Sequence, residues 1–391
     1  MTKTPNGLYV SFSGESDEPI NNVYALTLDL KTVSTEVLDA KSTPGGKLLG
    51  LRGLAFGPDG DLYVAQGKDT GGADAPDDAL GQKGNDASAI FEFGGAPAKW
   101  PLKFNKAFAT PNASPGLAHP YQPLFSSAGD LYVSCQNTNV VVAFYGPKSA
   151  SAGKPMPLSK FLLAKYPNGT FNPGTFVPAW SAKGGEPPTP VPVKEGGLSF
   201  KTLNGAGLDA GVDVEDAAEA KLGKAATHSV RGLAFDAAGN MYVADEGADR
   251  VVVFNPGGAL IGSIGPENNT PLSSPVALFF APDSDGGSGN LYVGSPGNHS
   301  LFVYAVAKGD FKAKLFLSDK TRLDKLSGIF VDADGNVYTG QRGKKKSQED
   351  KVDKDEGFKI HKWSPNGGYL MSSDSFGDSP EQLIGVYTPP G

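Results

Sequence analysis

A single cysteine, Cys135, occurs in 391 residues, so no disulfide within the chain holds its fold together. No run of 18 or more apolar residues is present, which excludes a membrane-spanning helix. Basic residues are not in excess: 35 Lys and Arg stand against 42 Asp and Glu, for a net charge of −7, a poor match for a nucleic-acid backbone. The densest basic stretch, "RGKKKSQEDKVDKDEG" at 342–357, interleaves six basic with five acidic residues and reads as a solvated, mobile loop. Helix-period stretches are nearly absent, with "VEDAAEAKLG" at 214–223 the one plausible short helix. The first residues, "MTKTPNGLYV", carry no apolar signal core, which leaves open a cytoplasmic chain or a secreted or periplasmic mature form. There is no P-loop, no Gly-x-Gly-x-x-Gly after a strand, no Gly-x-Ser-x-Gly and no His-Glu-x-x-His.

What the chain has is turns and short strands. Its 52 glycines and 31 prolines follow no fixed period, as expected of many turns between strands. One module recurs: an apolar strand, a Gly-Asp or Gly-Asn turn, and a strand centred on tyrosine. It appears as "RGLAFGPDGDLYVAQG" from Arg52, "QPLFSSAGDLYVSCQ" from Gln122, "RGLAFDAAGNMYVADEG" from Arg231, "VALFFAPDSDGGSGNLYVGS" from Val276 and "SGIFVDADGNVYTGQ" from Ser327. The tyrosines are Tyr63, Tyr132, Tyr242, Tyr292 and Tyr338, read as aromatic fillers between sheets. A sixth second strand, "NGLYVSF" with Tyr9, opens the chain without its first strand, and "EQLIGVYTPPG" at 381–391 supplies one. A linear stack has no use for this arrangement, whereas a closed ring does, because closure removes long exposed sheet edges.

Each module continues into a third strand, such as "RVVVFNP" or "LFVYAV", and a fainter fourth: "TEVLD", "KWPLKF", "SKFLLAK", "ALIGSIG", "AKLFLS" and "GYLMSS". The fold class is therefore all-β: a six-bladed β-propeller with four antiparallel strands per blade, closed by the C-terminal strand joining the N-terminal blade. The chain reads as one domain, 1–391. The tyrosine-to-tyrosine steps are 54, 69, 110, 50 and 46. The long step is read as an insertion at 167–227, with a degenerate seventh blade there as the alternative. "YVADEGADRVVVFNPGGALIGSIG" resembles an NHL repeat, and "VGSPGNHSLFVY" keeps its Asn-His pair at Asn298 and His299. The resemblance is sharp over 228–306 and thinner elsewhere, and it implies a fold far more than an activity.

Loop lengths distinguish the two faces of such a disc. Long segments at 13–21, 68–87, 167–227 and 342–357 fall on the face that carries the second-to-third loops and the blade-to-blade links, so that face is expected to meet a partner or substrate at the channel mouth. Arg52 and Arg231 begin innermost strands, with Gln122 placed between them, and two guanidiniums near an axis suit a bidentate anion or carboxylate. His119 and His228 each lie three residues before such a residue and are candidates, with the two arginines, for catalysis. Tyr121, Gln122, Gln136, Asn137, Gln341 and Arg342 are candidate ligand-binding residues. His119, His228, Asp245, Glu246 and His299 form a candidate set for a divalent metal, zinc or calcium. The wider resemblance supports that set: gluconolactonase-like propellers hold a divalent cation at the channel mouth, and the peptidyl-amidating lyase holds a histidine-bound zinc.

Two functions follow. One is a scaffold binding a protein, peptide or glycan through the loop-rich face and channel mouth. The other is a metal-dependent small-molecule hydrolase, lactonase-like, or a lyase acting at the channel.

Overall fold

The computed structural model describes residues 6–14, 20–67, 88–94, 100–110, 117, 119–136, 140–156, 177–178, 191–192, 198–199, 230–247, 249–256, 260–265, 270–283, 289–306, 313–343 and 357–386. Most of 167–227, including the expected helix at 214–223, and most of the charged segment at 342–357 lie outside these residues. The described strands form six four-stranded antiparallel sheets and one short two-stranded pair, Val191–Pro192 with Leu198–Ser199. The protein is a six-bladed β-propeller.

Blade 1 is built from both chain ends. Its innermost strand is Pro380–Val386, followed outward by Gly7–Phe12, Val23–Thr27 and Thr32–Ser34. Gly7 pairs with Val386 and Tyr9 with Ile384, which is the ring closure the sequence implied. Innermost strands of blades 2 to 6 are Leu51–Phe56, Pro120–Phe125, Val230–Phe235, Leu278–Pro282 and Leu326–Val331. The tyrosine strands follow as Leu62–Gln66, Leu131–Cys135, Met241–Asp245, Gly289–Ser295 and Val337–Gln341.

Outer strands depart most from expectation. Blade 1 ends with Thr32–Ser34 rather than 35–39, and blade 2 with Lys103–Ala109 rather than 99–104. Blade 3 was expected to end at 159–165, outside the described residues. Val177–Pro178 pairs with Val140–Val141 at that edge, so the long segment contributes a piece of outer strand. Outer strands bury little, as the exposure of Tyr369, Leu370 and Met371 in blade 6 shows, and their sequences carry a correspondingly weak pattern.

The repeated tyrosine is structural. Tyr9, Tyr63, Tyr242 and Tyr338 are almost fully buried, and their rings pack against the next blade; Tyr63 meets Phe125 at 4.8 Å and Tyr132 meets Phe235 at 5.2 Å. The turn aspartate holds the hydroxyl. Asp332 accepts from the Asp334 and Asn336 amides at 3.0 and 2.8 Å and from Tyr338 Oη at 3.0 Å, and Asp236 does the same for Tyr242 at 3.1 Å. Gly239 and Gly335 complete these turns at φ 81° and 80°, a backbone region that glycine enters without steric cost.

Cys135 is fully buried in the apolar core between blades 2 and 3, where it acts as a small filler.

Candidate functional site: a charged ring at the channel mouth

The innermost strands share an irregularity that shapes the channel. In blades 1, 2, 3, 4 and 6 their pairing with the second strand shifts near the start: Leu51 faces Gln66 but Leu54 faces Val64, and the same occurs at Pro120, Val230, Leu326 and Pro380. One extra residue is accommodated at each bulge, and a bulge re-aims the side chain it carries. The second residue of each strand is Glu381, Arg52, Tyr121, Arg231 and Ser327 in blades 1, 2, 3, 4 and 6.

This register corrects the position of Gln122. It does not share a repeat position with Arg52 and Arg231; Tyr121 does. Gln122 matches Gly53, Gly232, Gly328 and Gln382 instead. Its amide is committed to blade 4, donating to Leu233 O at 3.1 Å and accepting from Leu233 N at 2.9 Å. Gln382 Oε1 likewise accepts the Leu54 amide of blade 2. Where glycine takes this position the next blade presses in. A Cβ on Gly53 would lie 2.5 Å from Tyr121 O, and one on Gly232 2.5 Å from Val276 O.

The ring charges form two groups. Glu381, with 1% of its side chain exposed, accepts Arg52 Nη1 at 2.8 Å and also Arg342 Nη2. Across the mouth, Arg231 donates through Nε to Glu246 Oε2 at 2.7 Å and through Nη1 to Gln136 Oε1, and its guanidinium lies 5.2 Å over the Tyr121 ring. Among the described residues, three guanidiniums thus stand against two carboxylates. A cavity of about 10 Å³ opens beside Arg52, Tyr121, Ser327 and Glu381, room for one water-sized group.

His119 Nε2 and Tyr121 Oη, both buried at this mouth, have no hydrogen-bond partner among the described residues. His119 has a left-handed backbone, φ 50°, fixed by its amide donating to Ser88 Oγ at 3.0 Å and its carbonyl accepting from Gln136 N at 3.0 Å. Burial holds its imidazole well below the usual histidine range, and the Arg52, Arg231 and Arg342 charges push the same way. Burial pushes the Tyr121 hydroxyl up. At neutral pH the site therefore presents a neutral imidazole and a protonated phenol beside fixed positive charge.

The other candidates are placed as follows. Gln341 is held between Thr321 O at 2.6 Å and His361 Nε2 at 2.8 Å. Asp245 is fully buried, 3.7 Å from Arg250 Nε, and His299 lies 3.8 Å from Asp324. His228 and Asn137 lie outside the described residues. No three His, Cys, Asp or Glu side chains among the described residues form a group able to hold a metal. The described ring does not suit a divalent cation: its buried acid, Glu381, already bridges two guanidiniums, and three arginines raise the local potential. Glu381 was not singled out from the sequence. Aligning "PEQLIGV" on "LRGLAF" by the bulge register puts its glutamate at the arginine position.

No protein-family model matches the chain, and no curated protein is similar to it in sequence. Solved structures share its architecture. A protein of unknown function from Bacteroides caccae is 10% identical with a TM-score of 0.51, over 98% of this chain and 99% of that one. The likeness is one of fold. A chain of a nidogen/laminin complex is 10% identical with a TM-score of 0.50, over 96% and 97%. A putative 6-phosphogluconolactonase from Bacteroides uniformis ATCC 8492 is 13% identical with a TM-score of 0.49, over 95% and 84%.

Proposed function

We propose that this propeller is a binding module that takes an acidic group of a peptide or glycan ligand at the loop-rich mouth of its channel. The observation that carries this reading is the ring itself: Arg52, Arg231 and Arg342 against Glu381 and Glu246, with His119 Nε2 and Tyr121 Oη buried beside them and uncommitted. A carboxylate or sulfate placed there gains charge-assisted hydrogen bonds from guanidiniums that neighbouring carboxylates and an aromatic face already orient. The part of a nidogen/laminin complex that shares this architecture supports binding by likeness of fold alone.

The test compares the wild-type protein with Arg231→Gln on an array of glycans and peptides, each present in acidic and neutralised form. Acidic members are expected to bind selectively, with affinity falling as salt rises. Arg231→Gln is expected to weaken them by roughly 10- to 100-fold, the loss of one hydrogen bond to a charged group. Equal binding of acidic and neutral forms would contradict the reading. A hydrolase or lyase would use the same two atoms, His119 Nε2 and Tyr121 Oη, and would show itself as consumption of the bound ligand.

A further inference from the structure

Below the ring the channel changes character. Gln122, Leu278, Ile329 and Gln382 line both the small cavity at the mouth and a second, larger cavity beneath it, and so mark the boundary between them. The second cavity has a volume of about 330 Å³ and opens toward the face of the short first turns. All six blades wall it. Phe56, Phe125, Phe235, Phe280 and Phe330 come from five of them, with Ile384 from blade 1. Among its described lining residues no side chain is charged, and the only polar ones are Gln122 and Gln382. Gln122 commits both ends of its amide to Leu233, and Gln382 commits its Oε1 to the Leu54 amide.

We infer that this chamber is a second binding site, distinct from the mouth, for a small uncharged aromatic molecule. Four observations select that class. The side chains of the wall offer no charge to a polar ligand. The polar cavity above the Gln122–Gln382 boundary holds only about 10 Å³, so no peptide threads the axis and the occupant must end inside. A dry cavity of about 150 Å³ accepts benzene, so 330 Å³ suits two fused or linked rings. Six phenylalanines border this space, and aromatic rings favour edge and face contacts with aromatic ligands. Phe56, Phe125, Phe235 and Phe280 keep part of their surface exposed although they sit in innermost strands.

The test uses 6-propionyl-2-(dimethylamino)naphthalene, an uncharged probe with two fused rings whose fluorescence rises and shifts in apolar surroundings. Titrated into the full chain, it is expected to give a saturable signal at one probe per protein. Leu124 lines the chamber and is half-buried. Leu124→Trp fills the space and Leu124→Glu places a charge in it, and each is expected to weaken the probe at least about tenfold with the circular dichroism spectrum unchanged. Arg231→Gln, at the mouth, is expected to leave probe affinity unaltered. Absence of saturable binding to the wild-type protein would overturn the inference whatever the variants do. So would probe affinity retained in both folded Leu124 variants, or lost in Arg231→Gln.

Discussion

Replacing Glu381 with alanine is expected to destabilise the protein by about 3–5 kcal/mol. Glu381 ties the ring seam to the axial charges. It belongs to the C-terminal strand that closes blade 1, its side chain is almost fully buried, and it accepts from Arg52 of blade 2 and Arg342 of blade 6. Only 11% of the Arg52 side chain and 23% of Arg342 are exposed. Removing the carboxylate takes away the buried counter-charge that two confined guanidiniums share, which is far costlier than losing an exposed ion pair. Urea unfolding of wild type and Glu381→Ala measures the effect. In a double-mutant cycle, Arg342→Ala should cost less in the Glu381→Ala background than alone, because the first substitution removes the interaction and the second removes the repulsion. A loss below about 1 kcal/mol, the range of an exposed pair, would show that the acid does not hold the seam.

The second large effect is one of pH. His361 is 3% exposed in the third strand of blade 6, with Nε2 on Gln341 Oε1 at 2.8 Å and Nδ1 on Ser372 Oγ at 2.6 Å. Gln341 Oε1 can only accept, so the neutral ring carries its proton on Nε2 and accepts from Ser372 at Nδ1. Burial pushes its pKa down to about 4, with Arg322 adding to the shift. The unfolded chain titrates near 6.5. Above that value neither state is protonated, and the stability associated with the neutral ring is fully present. As pH falls from about 6.5 toward 4 the unfolded state takes a proton that the folded state refuses, and about 3 kcal/mol is lost. His361→Gln should remove that share of the slope while costing little more than a hydrogen bond, about 1 kcal/mol, at pH 7. Unfolding free energies of both proteins at pH 7 and pH 4.5 give the comparison. Parallel slopes would mean that His361 is not held neutral. His119 adds a loss in the same direction, common to both proteins.

The sequence displayed the fold because the blade cores are dictated by short-range pattern. Gly239 and Gly335 need their left-handed turns, Asp236 and Asp332 need to hold the amides behind them, and the tyrosine two residues beyond each turn asparagine reaches back to the same aspartate. Those constraints repeat in the letters. Ring closure was legible for the same reason, since "EQLIGV" completes the module that "NGLYVSF" lacks. Outer strands were placed poorly at Thr32–Ser34 and Lys103–Ala109, where little is buried and little is specified.

At the site, sequence carried the arginines but not their setting. Arg52 and Arg231 stand out because "RGLAF" occurs twice. Tyr121 and Glu381 occupy the same place without resembling arginine, and only the bulge register aligns them. Gln122 was taken for the ring residue because a one-residue slip is invisible in text, although it exchanges a side chain at the axis for one against the next blade. The two-part channel could not be read at all, since it depends on where six strands converge.

The central claim is that the mouth binds acid groups through its guanidiniums, and the most direct measurement is a fluorine-19 NMR titration with trifluoroacetate, a minimal monocarboxylate. Saturable line broadening in the wild-type protein, lost in Arg231→Gln and weakened by added salt, is the predicted result. Broadening that does not saturate, or that is the same in Arg231→Gln, would contradict it.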